Sequence, residues 1–193
     1  MKILGISGSP NENGNTSYSV QYALDTLSKD GSEIRYISLA NKDIHPCIGC
    51  WSCTKTGKCR FNDYMTEIIE AMRWCDALII GSPVYFGLIN GQTKVMMDRC
   101  VPLRAYNSAF EMAGKVGGGI SCGAFRNGGQ ELTLQCIHTF LLQQNMITVS
   151  DGFPYSHSGA TIVGDAKNDE LGLKTIANLA KNIKEMLRLT NKS

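Results

Sequence analysis

The chain has 193 residues, of which 43% are hydrophobic and 19% charged, and this balance excludes a fibrous or disordered protein. Nineteen basic against seventeen acidic residues leave a formal net charge of +2, which is too small to indicate a nucleic-acid-binding protein. No apolar run approaches the roughly 20 residues that cross a bilayer, and the first residues lack a signal-peptide pattern. We therefore expect a cytoplasmic protein without membrane contact.

Short apolar strands alternate with helical segments along the chain. The predicted strands are Lys2–Ser7, Glu33–Leu39, Asp76–Gly81, Lys115–Ser121 and Met146–Val149. The first predicted helix contains Val20–Leu27 and ends at Asp30. Four further helices are predicted over Asp63–Trp74, Ile89–Cys100, Gly129–Gln144 and Asp169–Leu189. The segment Gly152–Lys167 is predicted to be irregular. This alternation predicts one α/β domain over residues 1–193, with a mostly parallel, doubly wound sheet of five strands. Since ligands of such sheets bind beyond the carboxyl ends of the strands, the loops after the first, third and fourth strands form the candidate site.

The loop after the first strand, Gly8–Ser17, consists of small hydroxyl and amide residues and leads into a helix. Backbone N–H groups and the helix dipole attract an anion at such a turn, so the loop is a candidate phosphate site. It matches neither a Walker loop, nor the dinucleotide fingerprint, nor a nucleophile elbow. The alternative is an ordinary turn in which Asn15 or Thr16 caps the helix.

Aromatic and glycine-rich segments follow the third and fourth strands. Ser82–Gly87 carries Tyr85 and Phe86, which can contact the edge of a flat heteroaromatic ring or, alternatively, belong to the core. Ser121–Gln130 is rich in small residues, so its backbone can approach a ligand closely. Within it, Arg126 can balance the charge of a reduced ring or be solvated. One phosphate loop and two ring-contacting loops fit a mononucleotide flavin better than a dinucleotide.

Four of the eight cysteines form a C-x2-C-x2-C-x5-C run: Cys47, Cys50, Cys53 and Cys59. Three thiolates at successive spacings of three can surround one face of a 4Fe–4S cluster, and the fourth can bind the remaining iron. Four cysteines can also form a closed zinc site, but zinc sites usually pair two separated C-x2-C arms, so the spacing favours the cluster. The isolated Cys75, Cys100, Cys122 and Cys136 are predicted to be packing residues.

With a flavin-type α/β frame and a compact cysteine run in one chain, the sequence resembles the iron–sulfur flavoprotein family of anaerobic microbes. That family belongs to the NADPH-dependent FMN reductase branch of the flavodoxin-like proteins. The resemblance covers nearly the whole chain and is carried by Gly5–Pro10, the cysteine run, Ser82–Gly87 and Arg126–Gln130. It implies a sheet of strand order 2-1-3-4-5, a bound FMN, and a 4Fe–4S cluster in residues 45–60, after the second strand.

The resemblance also implies site residues and partners. By position, the phosphate contacts would be Ser9, Asn15, Thr16 and Ser17, and the isoalloxazine contacts would be Pro83, Val84, Tyr85, Phe86, Gly87, Gly123, Ala124, Arg126, Asn127 and Gly128. Many relatives have an arginine where this chain has Asn11, so phosphate binding would depend more on backbone and hydroxyl donors. The family implies a homodimer or homotetramer, a ferredoxin-type electron donor, and oxygen or peroxide as acceptor.

Two other functions are compatible with these residues. One is an NAD(P)H-dependent FMN or quinone reductase whose four-cysteine site holds zinc or stays empty. The other is a flavodoxin-like binding module without enzymatic activity.

Overall fold

Helices cover both faces of a parallel sheet in the computed structural model of this chain, which describes residues 1–29, 31–105 and 110–190. The strands are β1 Lys2–Ser7, β2 Glu33–Ser38, β3 Ala77–Tyr85, β4 Leu88–Ile89, β5 Val116–Gly123, β6 Ile147–Thr148 and β7 Ala160–Val163. The helices are α1 Asn15–Ser28, α2 Cys53–Thr56, α3 Met65–Trp74, α4 Gly91–Asp98, α5 Pro102–Ala105, α6 Gln130–Gln143 and α7 Glu170–Thr190. The predicted helix terminator Asp30 lies outside the described residues.

The parallel strands follow the order β2-β1-β3-β5-β6, which is the predicted 2-1-3-4-5 arrangement of a flavodoxin-like sheet. The prediction of five strands is incomplete, because the structure contains two further short strands. β4 forms an antiparallel hairpin with the end of β3, and β7 shares the fifth position with β6 because it pairs with the second half of β5. Gly152–Lys167 is therefore not wholly irregular: a four-residue strand forms there because β5 offers it a free edge.

Both cores of the domain depend on the alternation of side chains along the buried strands. Successive residues of a strand point to opposite faces of the sheet. Ile3 and Ile79 pack with α1 and α7 on one face, whereas Leu4 and Ile80 pack with α3, α4 and α6 on the other. The longest helix, α7, has 21 residues with charged positions throughout, and no helix in the described ranges could span a bilayer.

Two strands extend further than their apolar sequence predicts, and this changes where the candidate ring contacts lie. β3 continues to Tyr85 because β4 pairs with its end, so Pro83, Val84 and Tyr85 lie on a strand instead of in a loop. β5 likewise continues to Gly123, where β7 pairs with it. The predicted helix from Ile89 is also corrected, because Ile89 belongs to β4 and the helix begins only after Asn90.

Candidate functional site

The first turn of α1 lacks a side-chain cap. Its N-cap residue is Gly14, in extended backbone, and no side chain accepts a hydrogen bond there. The capping alternative is therefore wrong: Asn15 instead donates from Nδ2 to the Gly164 carbonyl oxygen at 2.7 Å and accepts the Ala166 N–H at 3.0 Å. Because the N–H groups of the first turn have no acceptor within the helix, they form a ready site for an anion such as phosphate. Thr16 lies buried in this turn.

Side-chain hydrogen bonds fix the loop that precedes α1. Ser9 Oγ accepts the Asn11 N–H at 3.0 Å, and Asn11 Oδ1 accepts the Asn13 N–H at 3.1 Å. Ser17 Oγ lies 3.0 Å from Ser7 Oγ and donates to the Asn11 carbonyl oxygen at 3.2 Å. The side chains of Asn15 and Ser17 therefore shape the loop, whereas Ser9 uses its oxygen as an acceptor and keeps a hydroxyl proton to donate.

A buried polar network joins this loop to the β3–β4 hairpin. Asn90 Nδ2 donates to the Gly8 carbonyl oxygen at 2.6 Å, and Asn90 Oδ1 accepts the Thr93 hydroxyl at 2.5 Å. The Asn90 N–H donates to Ser82 Oγ at 3.3 Å. Asn90 and Thr93 are absent from the predicted site, although an asparagine directly before a helix is a recognisable N-cap signal.

The two predicted ring-contacting segments lie against each other. A two-residue turn, Phe86–Gly87, connects β3 to β4 with φ angles of 49° and 83°, as a tight hairpin requires. Gly129, at φ 109°, packs directly on this turn, and a Cβ added there would lie 2.5 Å from the Gly87 carbonyl oxygen. The segments Pro83–Gly87 and Gly123–Gly128 therefore form one surface, which we call the ring surface.

Gln130 holds the second segment of the ring surface in place. Its Nε2 donates to the Phe125 carbonyl oxygen at 2.7 Å, and its Oε1 accepts the Gly128 N–H at 3.0 Å. The residues Ala124–Gly128 are exposed as a result of this arrangement. Arg126 is exposed and lines a cavity of about 870 Å³ together with His157 and Asp169.

All four cysteines of the run line one pocket of about 130 Å³, which we call the cysteine pocket. Its other walls include Ile48, Trp51, Phe61, Arg99, Val101 and Pro102. Burial and the nearby thiolates of Cys59, Cys50 and Cys47 raise the pKa of Cys53. Cys53 is thus close enough to the other three thiols for their charges to affect it.

Zinc and a 4Fe–4S cluster place four thiolates differently. A zinc ion lies about 2.3 Å from each thiolate, which draws four sulfurs around one point. Among the described residues, no group of three or more His, Cys, Asp or Glu side chains is placed to hold a metal ion. The preference for a cluster, in which each cysteine binds a different iron, therefore rests on the spacing of the cysteines in the sequence. The assignment of Cys47, Cys50, Cys53 and Cys59 as ligands stays a prediction.

The isolated cysteines behave largely as packing residues. Cys75, Cys100 and Cys122 are buried, and burial raises the pKa of Cys75 to about 12 and that of Cys122 to about 11. Burial also raises the pKa of Cys100. Cys136 is only half-buried, beside a groove between α4 and α6.

Residues 1–161 match the protein family described as NADPH-dependent FMN reductase. The chain is 47% identical to an iron-sulfur flavoprotein of Methanocaldococcus jannaschii, in an alignment that covers 100% of both chains. It is 38% identical to an iron-sulfur flavoprotein of Methanosarcina thermophila, over 100% of this chain and 98% of the relative.

Solved structures resemble this chain at lower sequence identity. RosB has a TM-score of 0.79 at 17% identity, covering 100% of this chain and 81% of RosB. A WrbA-like flavodoxin of Agrobacterium tumefaciens has a TM-score of 0.67 at 18% identity, covering 97% and 98%. At these identities the likeness establishes the flavodoxin-like fold alone, as predicted.

Proposed function

Because this chain belongs to the iron–sulfur flavoproteins of the NADPH-dependent FMN reductase family, which are oxidoreductases, we propose that it binds one FMN and one 4Fe–4S cluster and passes electrons between them. The observation that carries the proposal is the cysteine pocket, in which four thiols surround one cavity. The uncapped first turn of α1 and the adjacent ring surface support the flavin half of the proposal.

Each part of the site has a distinct task in this proposal. The N–H groups at the start of α1 and the Ser9 hydroxyl bind the FMN phosphate, while the ring surface holds the isoalloxazine. Cys47, Cys50, Cys53 and Cys59 bind the cluster. When bound, the flavin exchanges one or two electrons and the cluster exchanges one. The polypeptide supplies the binding groups and keeps the two cofactors at a fixed separation.

Electrons enter, in this proposal, from a ferredoxin-type protein and leave to a small acceptor such as oxygen or peroxide. Cys47 and Cys50 are exposed, so a one-electron donor can approach the cluster directly. Free thiols and a cluster both require a reducing compartment, which supports a cytoplasmic location.

Metal, sulfide and flavin analysis of the anaerobically purified protein tests the proposal. We expect about four iron, about four acid-labile sulfide and about one FMN per chain. Stoichiometric zinc without sulfide would overturn the cluster assignment.

A second function, that of an NAD(P)H-dependent FMN or quinone reductase with a structural four-cysteine site, is favoured by the match to the FMN reductase family. Stopped-flow mixing of the protein with NADPH and, separately, with reduced ferredoxin distinguishes the two. Rapid reduction of the flavin by NADPH alone, undiminished when Cys53 is replaced by alanine, would favour the reductase.

A further inference from the structure

Arg99, the residue that follows α4, is a charged side chain buried in the wall of the cysteine pocket. Only 2% of its surface is exposed, and it lines the pocket together with the four cysteines. Arginine is almost never fully buried unless it is paired. The partners of Arg99 therefore indicate its task.

Hydrogen bonds and an aromatic contact hold most of the Arg99 guanidinium in place. Nη1 donates to Asp63 Oδ2 at 2.8 Å and to the His45 carbonyl oxygen, and Nη2 donates to Asp63 Oδ1 at 3.0 Å. The guanidinium carbon lies 5.1 Å from the centre of the Phe61 ring, on which the His45 ring stacks at 3.9 Å. Asp63 is fixed in turn, since it accepts the His45 N–H at 2.9 Å and the Met65 N–H at 3.1 Å. Such a bidentate pair fixes the plane of the guanidinium.

One N–H donor of the Arg99 side chain is unpaired. Arg99 Nε is buried and has no hydrogen-bond partner among the described residues. Buried polar groups in native proteins are nearly always paired, so an unpaired one requires an explanation. Cys59 lies in the wall of the same pocket as Arg99. A cysteine sulfur of this pocket can accept a hydrogen bond from such a donor.

We propose that Arg99 is a positioning residue of the cluster site, whose Nε–H donates to the sulfur of Cys59 and whose charge favours the reduced, more negative cluster. Asp63 and His45 hold the guanidinium in the plane that this requires. Hydrogen bonds to the sulfurs and local charge are the main means by which proteins set cluster reduction potentials. The inference rests on the proposed function, since it needs a cluster in the pocket.

A pair of variants isolates the effect of Arg99. The single variant Asp63→Asn removes the carboxylate charge while Arg99 keeps its donors. The double variant Asp63→Asn/Arg99→Gln also removes the guanidinium, and it does so without leaving a buried carboxylate unpaired. The midpoint potentials of the cluster and of FMN are measured in one sample by redox titration followed by electron paramagnetic resonance and absorbance. From the single to the double variant, we expect the equilibrium constant for cluster reduction to fall about tenfold, or about 59 mV for one electron. The FMN potential should not change.

Arg73→Gln is the matched control. Arg73 also contacts the cysteine segment, through a hydrogen bond of 3.3 Å to the Gly57 carbonyl oxygen, and it pairs with Glu111 at 2.5 Å. It does not line the cysteine pocket, so the cluster potential of this variant should equal that of the parent.

The outcomes separate the inference from the function on which it rests. Equal cluster potentials in the single and double variants would overturn the role of Arg99. Absence of iron and sulfide from the parent protein would overturn the proposed function instead. If the double variant does not fold, Asp63→Asn/Arg99→Met gives the same comparison with a side chain that has no donor to satisfy.

Discussion

Cys53 is the buried member of the four-thiol group and occupies the first position of α2. Replacing it with alanine removes one proposed ligand, so we expect the cluster to be lost or reduced to substoichiometric iron. FMN should stay bound, because the ring surface and the start of α1 lie on other strand ends. Iron, sulfide and flavin content, together with the absorbance spectrum, measure both effects.

Cys75→Ala provides the comparison for this change. Cys75 is buried between α3 and β3, away from the cysteine pocket, so its loss should cost only about 1 kcal/mol of stability, as for a small buried group. The iron content of the Cys75→Ala protein should equal that of the parent. A complete cluster in Cys53→Ala would refute the ligand assignment.

Burial also predicts which thiols react. A pKa of about 12 for Cys75 and of about 11 for Cys122 leaves almost no thiolate at pH 8, whereas hydrogen bonds from Ser52 lower the pKa of the exposed Cys50. After removal of iron, we therefore expect iodoacetamide at pH 8 to modify Cys50 quickly and to leave Cys75 and Cys122 unmodified until the chain unfolds. Peptide mass spectrometry resolves each site. Equal labelling of Cys75 and Cys50 in the folded chain would contradict the burial described here.

At the scale of elements, the contact between the β3–β4 turn and the start of α6 shapes the ring surface. Gly129→Ala would place a Cβ against the backbone of Gly87 and push the turn outward. We expect FMN affinity, measured by quenching of flavin fluorescence, to fall about tenfold, or about 1.4 kcal/mol.

Gly114→Ala separates this contact from backbone strain. Gly114 also has a positive φ, of 75°, but a Cβ added there meets nothing within 4 Å. The Gly114→Ala variant should therefore lose about 1 kcal/mol of stability from strain alone and keep the affinity of the parent for FMN. Similar FMN affinity in both variants would show that the contact with Gly87 does not shape the site.

The order of the long elements was predictable because strands buried on both faces are continuous apolar runs, as in Ala77–Ile80. The short strands β4 and β7 were not predictable, since two to four residues form a strand only when a neighbour offers a free edge. The hydrogen bonds of Asn90 and Arg99 depend in the same way on distant partners, which are Gly8 for Asn90 and Asp63 and His45 for Arg99. That the four cysteines lie around one pocket was predictable because their spacing is local, and their role as ligands stays a prediction.

At the scale of the whole molecule, α4 separates the two candidate sites. Asn90 at its beginning contacts the phosphate loop, and Arg99 after its end lines the cysteine pocket. Eight helical residues span about 12 Å, and this length of helix lies between the two candidate sites. Exposed aromatic side chains at Trp51, Phe86 and Phe125 suit burial against another subunit.

We therefore predict a homodimer or homotetramer in which the cluster of one chain faces the flavin of another. Sedimentation velocity measures the assembly, and polar substitution of an interface aromatic residue should slow reduction of the flavin through the cluster while both cofactors stay bound. A monomeric variant that retains both cofactors and transfers electrons as fast as the parent would show that the path lies within one chain.

Hydrogen bonds hold the residues at both ends of α4, so an insertion in this helix is tolerated less well than a substitution on its surface. A single residue inserted in the middle of the helix would rotate everything after it by about 100° and displace it by about 1.5 Å. Arg99 would then lose its alignment with Asp63, while Asn90 would keep its hydrogen bond to the Gly8 carbonyl oxygen. Substitution of the exposed Lys94, whose ion pair with Asp98 lies on the surface, changes neither end. Functional variants of this chain should therefore differ freely in the exposed residues of α4 and agree in its length.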